Sequence, residues 1–223
     1  MKIDIVSAKF QNSLALSKTS VFRGCVLNEL GNDCSELFHN HQGDDGFRQQ
    51  YPLIQYKSID NKATILFIGK GVVEVGKILS ICGRSAHIGR RTEPLELNGL
   101  SPCQSEVAFS PTPIKYRITA WLPLNETNVK IYQSEPLLVP RLTMLEDILI
   151  ANILSMSKGL GVYIDQRVEC GICTISSPYT IECKQVPMIA FDADFLCNMS
   201  LPNDIGLGKH VSLGFGIIKR MSH

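Results

Sequence analysis

His39 and His41, separated by Asn40, are the two side chains of this 223-residue sequence best suited to moving protons. An imidazole titrates close to neutral pH, so one ring can accept a proton while a second donates one under the same conditions. In an extended segment a spacing of two places both rings on one face, whereas in a helix they diverge. The run Tyr51-Pro52-Leu53-Ile54-Gln55-Tyr56-Lys57 follows. Read as a strand, it puts Tyr51, Gln55 and Lys57 on a polar face beside the histidines and turns Ile54 and Tyr56 toward a core. Such a set suits RNA cleavage. RNA carries its own nucleophile in the 2′-OH, so a protein has to supply a base, an acid for the departing 5′-oxygen, and groups that stabilise the phosphorane. His41 is the first choice for the acid or base and His39 the second. Tyr51 is expected to orient the phosphate or hold a proton, and Lys57 and Arg48 to meet the phosphorane charge. Two other readings stay open for the histidines: metal ligands, for which no third ligand has a matching spacing, and plain surface residues of a loop.

A second constellation lies at the C-terminal end. Gly206-Leu207-Gly208, the five residues Lys209 to Leu213, and Gly214-Phe215-Gly216 give two Gly-x-Gly units with a basic residue in the gap. Glycine reaches positive φ and lets the backbone come close to a ligand. Successive free N–H groups can then form a concavity for an anion, with Lys209 adding charge beside it. The alternative is a tight connection between two last strands, which uses glycine for the same conformational reason. Arg84, Arg90 and Arg91 with His87 form one further basic cluster, and Lys209, His210, Lys219 and Arg220 another. Net charge is only +1 and charged residues make up 19%, so contact with RNA must come from such local clusters rather than from a basic protein overall.

These residues need elements to hold them. Residues 2 to 9 read as a strand, and 17 to 30 as a helix stopped at Gly31. Residues 53 to 59 and 63 to 68 read as a hairpin through Asp60-Asn61, 71 to 81 as a helix closed by Gly83, and the 84 to 97 region as a fourth strand. Strand, helix, strand, strand, helix, strand is the ferredoxin-like order. Pro94, Pro102, Pro111 and Pro113, with Gly99 and several serines, mark 99–113 as the linker between an N-terminal domain over 1–98 and a C-terminal one over 114–223. In the second half, 116 to 122 reads as a strand and 142 to 157 as the strongest helix. Strands are expected over 167 to 175, 179 to 184, 187 to 197 and 213 to 219. The fold class expected is α+β, with two tandem ferredoxin-like (RRM-like) domains, the second richer in strand.

The start of the chain alternates polar and apolar residues without the apolar core of a signal peptide, and nothing has the length of a transmembrane helix. A cytoplasmic protein with reduced thiols is the expectation for its eight cysteines. Cys170-Gly-Ile-Cys173 has zinc-ligand spacing but no second pair to match it.

The two-domain pattern, the glycine loop with a basic residue in its gap, and the segments Phe38-His39-Asn40-His41 and Tyr51 to Lys57 together resemble the CRISPR-associated repeat-processing endoribonucleases of the RAMP superfamily, in their short two-domain branch. That resemblance implies two ferredoxin-like folds side by side and RNA lying across them. It also implies metal-independent cleavage of CRISPR repeat RNA into guide RNAs, with a 2′,3′-cyclic phosphate product and no cofactor. Gly206, Gly208, Lys209, Gly214 and Gly216, with Arg48, Arg84, Arg90 and Arg91, become the expected RNA contacts. The expected partners are the repeat RNA and subunits of a CRISPR effector complex, with no membrane, for a monomer or homodimer serving antiviral defence. The rival is a non-catalytic RNA-binding RAMP subunit. A protein binding a small phosphorylated ligand is a weaker third reading, since no strand-to-helix phosphate loop is present.

Overall fold

Alternation at the very start of the chain becomes β1 (Lys2–Ser13), which buries Ala8 and Phe10 on one face and Ile3 and Ile5 on the other. The structure is a computed structural model and describes residues 1–39, 50–88, 91–183 and 186–221. Its chain divides into two units. One comprises Lys2–Ser105 with Ser212–Gly214, and the other comprises Met1, Glu106–Val211 and the residues from Phe215 on.

In the first unit, α1 (Thr19–Leu30) buries Phe22, Val26 and Leu30, four residues apart and so on one helical face. It stops at Gly31, as expected, and Gly31 takes a positive φ. A helical turn, α2 (Glu36–His39), comes next. The hairpin of β2 (Ile54–Ile59) and β3 (Lys62–Ile68) turns through Asp60 and Asn61, both at positive φ, the conformation of a two-residue turn that matches the twist of its strands. A 3-10 stretch over Gly69–Glu74 and the short α3 (Val75–Leu79) stand where one helix was expected. The 84 to 97 region does not supply the fourth strand of the sheet. It forms a separate hairpin of β4 (Ser85–Ile88) and β5 (Arg91–Pro94), and the sheet is completed by β6 (Leu97–Glu106) in the order β2-β3-β1-β6. That is the ferredoxin-like arrangement. Its core holds Phe10, Phe22 and Tyr56 edge to face, at centroid distances of 5.6 and 6.1 Å, with Phe38 set edge-on to Phe67 at 6.1 Å.

The expected linker over 99–113 is strand instead. β6 fills its first part and β7 (Ala108–Trp121) the remainder, with only Val107 between them. The prolines are accommodated because Pro102 lies on an outer strand and Pro111 and Pro113 fall where the β7 register with its neighbour shifts, so no ladder hydrogen bond is asked of them.

The second unit continues with α4 (Glu126–Ser134), capped by the Asn125 side chain, which accepts from the N–H groups of Thr127 and Asn128. Next comes α5 (Leu138–Gly159), burying Leu145, Leu149, Ile153 and Met156. β8 (Cys170–Ile175), β9 (Tyr179–Cys183), β10 (Val186–Ser200) and β11 (Ile217–Arg220) complete a sheet ordered β11-β7-β10-β8, with β9 paired to β10. The order again follows the ferredoxin-like pattern. The second crossover, however, contains no α-helix: residues 201–216 make it as a loop with one 3-10 turn over Val211–Leu213.

Candidate functional site

α2 ends on His39, and the backbone one residue earlier is tied down. Arg23 of α1 donates from Nη2 to the Phe38 carbonyl at 3.3 Å, occupying one of the acceptors that a helix end leaves open. The same guanidinium lies 6.0 Å from the centre of the Tyr56 ring. Phe38 itself is buried against Phe67. The turn carrying His39 is thereby fixed by an apolar plug and a cationic tie. For His39 only the backbone is described, and His41 and Arg48 lie outside the described residues, as does Arg90.

The strand expected to show a polar face is buried on both sides. Gln55 and Lys57 are 0% exposed and Tyr51 only 9%, beside Ile54 and Tyr56 on the opposite face. Gln55 donates to the Pro52 carbonyl at 3.0 Å. Burial pushes the Tyr56 phenol well above its ordinary value, so it stays protonated. An enclosed ammonium must exchange water for protein neighbours. Lys57 is therefore part of the frame of this region and is not presented at its surface. The hairpin arginines separate in role: Arg84 donates to the Glu29 carbonyl at the end of α1 at 3.0 Å, while Arg91 is exposed and lines a cavity of about 730 Å³ with Lys18, Asn61 and Glu93.

The glycine loop has its closest approaches within the protein. A Cβ on Gly208, at φ +96°, would meet the Trp121 ring at 3.0 Å and the Leu122 carbonyl oxygen at 3.1 Å, and one on Gly216 would run into the Leu207 carbonyl oxygen. Leu207 and Gly216 are themselves joined by a backbone hydrogen bond of 2.9 Å, and the Lys209 N–H donates to Leu122 at 3.1 Å. Gly206 faces Val211 and Phe215 in the same way. Gly214, in the part of the loop that packs with the first unit, would place a Cβ 3.0 Å from the Tyr56 carbonyl oxygen and 3.3 Å from the Lys57 Cα. The crowding at these glycines comes from within the protein: from the loop itself, from Trp121 and Leu122, and at Gly214 from the backbone of β2. Gly206, Gly214 and Gly216 are buried, and Lys209 is half-buried.

Two cations that the sequence reading passed over, Lys115 and Arg117, sit on the second sheet beside Lys219 of the C-terminal basic cluster. Arg117 and Lys219 stand opposite one another on β7 and β11, and Arg117 and Lys115 reach Asp194 at 2.7 and 3.5 Å. The hydrogen bond from Arg117 holds the Asp194 carboxyl below its ordinary value. Alternation along β7 was the available signal, since residues 115, 117 and 119 share a face.

Residues 1–105 match the Cas6b N-terminal domain and residues 108–221 the Cas6b C-terminal domain. The chain belongs to the Cas6b family. A Cas6b crystal structure is similar over 99% of this chain and 100% of that one, with a TM-score of 0.88 and 28% identity. A second, of a CRISPR RNA processing endoribonuclease Cas6b, is similar over the same shares with a TM-score of 0.73 and 25% identity. An uncharacterized protein of Methanocaldococcus jannaschii is 37% identical over 109 residues, 48% of this chain and 73% of that protein. For a Cas6b chain, two units that each hold a sheet in the ferredoxin-like order are as the RAMP resemblance implied. Among the described residues no helix is long and apolar enough to cross a membrane, and no three His, Cys, Asp or Glu side chains gather to hold a metal ion.

Proposed function

We propose that this protein cuts CRISPR repeat RNA into guide RNAs by 2′-OH attack, without a metal ion, leaving a 2′,3′-cyclic phosphate. The observation that carries the reading is the match of both units, end to end, to Cas6b domains. His39, at the end of the Arg23-tethered turn, and His41 supply the chemistry. His41 is the principal acid or base and His39 its partner. Tyr51 and Lys57, both buried, hold the strand that follows the histidines rather than touch the phosphate. Arg91 and Lys18 in the first unit and Lys209 in the second offer phosphate contacts, and the glycines keep the loop that carries Lys209 in shape. A cytoplasmic site of action and association with effector subunits belong to the same reading.

The test is cleavage of repeat RNA by the purified protein in EDTA. Cutting is expected to survive chelation, and activity lost in EDTA and restored by magnesium or manganese would overturn the mechanism. In the same assay His41→Ala is expected to lower the rate roughly 100-fold or more, the usual cost of one acid or base, with His39→Ala equal or milder. RNA affinity should change little. Unaltered cutting in both single variants and the double variant would remove the histidines from the mechanism. Lys209→Ala should weaken RNA binding about equally for cognate and unrelated sequences. It should also reduce the slope of log affinity against log salt by about one unit. An unchanged slope would take Lys209 off the interface.

A further inference from the structure

Cys170, the first residue of β8, stands directly opposite Cys197 of β10 in the antiparallel ladder. One step along, Asn198 donates its N–H to the Glu169 carbonyl at 3.2 Å. Hydrogen-bonded and non-hydrogen-bonded pairs alternate along such a ladder, so the two cysteines occupy the non-hydrogen-bonded position. There opposed Cα atoms stand about 4.5 Å apart, inside the range of roughly 4.4–6.8 Å that a disulfide spans. The Asn198 side chain adds a clamp, accepting from the Glu169 N–H at 2.9 Å and donating to the Arg167 carbonyl at 3.0 Å. Each sulfur acts on the other's titration, with Cys170 held above its ordinary value and Cys197 below it. Cys170 is half-buried and reaches solvent, whereas Cys197 is 1% exposed. The Cys-x-x-Cys spacing that drew attention in the sequence is a different pairing, for Cys173 lies at the register shift of β8 and is exposed.

We propose that Cys170 and Cys197 are a site of reversible peroxide oxidation, closing a cross-strand disulfide that staples the outer strand β8 to β10. Cys170, the accessible member of the pair, gives up its proton, its thiolate attacks a peroxide oxygen to form a sulfenic acid, and the hydroxide released takes that proton and leaves as one water. The Cys197 sulfur then attacks that sulfur and expels hydroxide, which leaves as a second water with the Cys197 proton. Two thiols and one peroxide thus give one disulfide and two waters, and a dithiol reductant reverses the change.

The whole protein is treated with hydrogen peroxide, its remaining thiols are alkylated, and its peptides are analysed by mass spectrometry. The expected product lacks two hydrogens, links the peptides holding Cys170 and Cys197, and reverts with dithiothreitol. Its melting temperature should rise by about 5 °C or more, as closing a loop of this length constrains the unfolded chain. Cys170→Ser and Cys197→Ser should each abolish the linked peptide and the thermal shift, and Cys173→Ser should preserve both. Cys170 and Cys197 still fully alkylated after peroxide, or linkage that depends on Cys173, would overturn the proposal. RNA cleavage plays no part in the readout, so the result is independent of the catalytic reading.

Discussion

A repeat RNA carrying a 2′-deoxy sugar at the cut position is expected to bind this protein with nearly unaltered affinity and to remain whole. The reason is chemical. In the proposed reaction the nucleophile is the 2′-oxygen of the RNA itself, and the histidines only move protons to and from it. Removing that oxygen leaves nothing for a base to activate, so the loss is complete rather than partial. Phosphate contacts, which dominate affinity for nucleic acids, are untouched by the change. Gel-shift titration and single-turnover cleavage on the same deoxy substrate check both halves. Normal cutting would mean that an activated water or a protein group is the nucleophile, and the assignment of His41 and His39 would fall with it.

Gly216→Val is expected to destabilise the second unit by about 4 kcal/mol or more, combining the strain of a β-branched residue at positive φ with a backbone collision. Gly216 sits at φ +65°, and any Cβ there meets the Leu207 carbonyl oxygen, which belongs to backbone and cannot swing aside as a side chain could. Its own N–H donates to Ala120 at 3.0 Å, so the distortion would pass directly to β7 at the centre of the sheet. Urea denaturation followed by circular dichroism measures the loss. If the variant keeps wild-type stability and loses only RNA affinity, the glycine is there for the ligand, as its spacing first suggested.

Strand and helix alternation made most of the fold legible in advance, because it depends on local periods. β1, α1, the Asp60-Asn61 hairpin and α5 all declare themselves through residues on one face or through turn chemistry. The prolines between 94 and 113 misled because their effect depends on context that a single sequence does not display: an outer strand and a register shift both tolerate proline. Missing α4 is a different case, for Asn125 ahead of Glu126 is a helix-starting signal that periodicity alone overlooks. At the site, the histidine spacing could be read directly, whereas the burial of Lys57 could not. A lysine between Tyr56 and Ser58, on the face it shares with Gln55, looks surface-bound until the packing around both faces of its strand is known. The glycines were found by their spacing, but what crowds them is Trp121, the Leu122 carbonyl just after β7, the Tyr56 carbonyl of β2 and carbonyls of the loop itself.

A segment made well after the N-terminal sheet has a bearing on how that sheet matures. Ser212–Gly214 pack with Lys2–Ser105, and Gly214 lies against the backbone of β2, an outer strand of its sheet. Domains generally fold as they leave the ribosome, N-terminal first. Here the N-terminal sheet is translated about a hundred residues before the segment that covers β2, and uncovered outer strands are the usual templates for misassociation. The N-terminal sheet therefore passes through synthesis incomplete. Release of a nascent chain stopped short of residue 212 would free a protein with its ferredoxin-like order in place and one margin still bare.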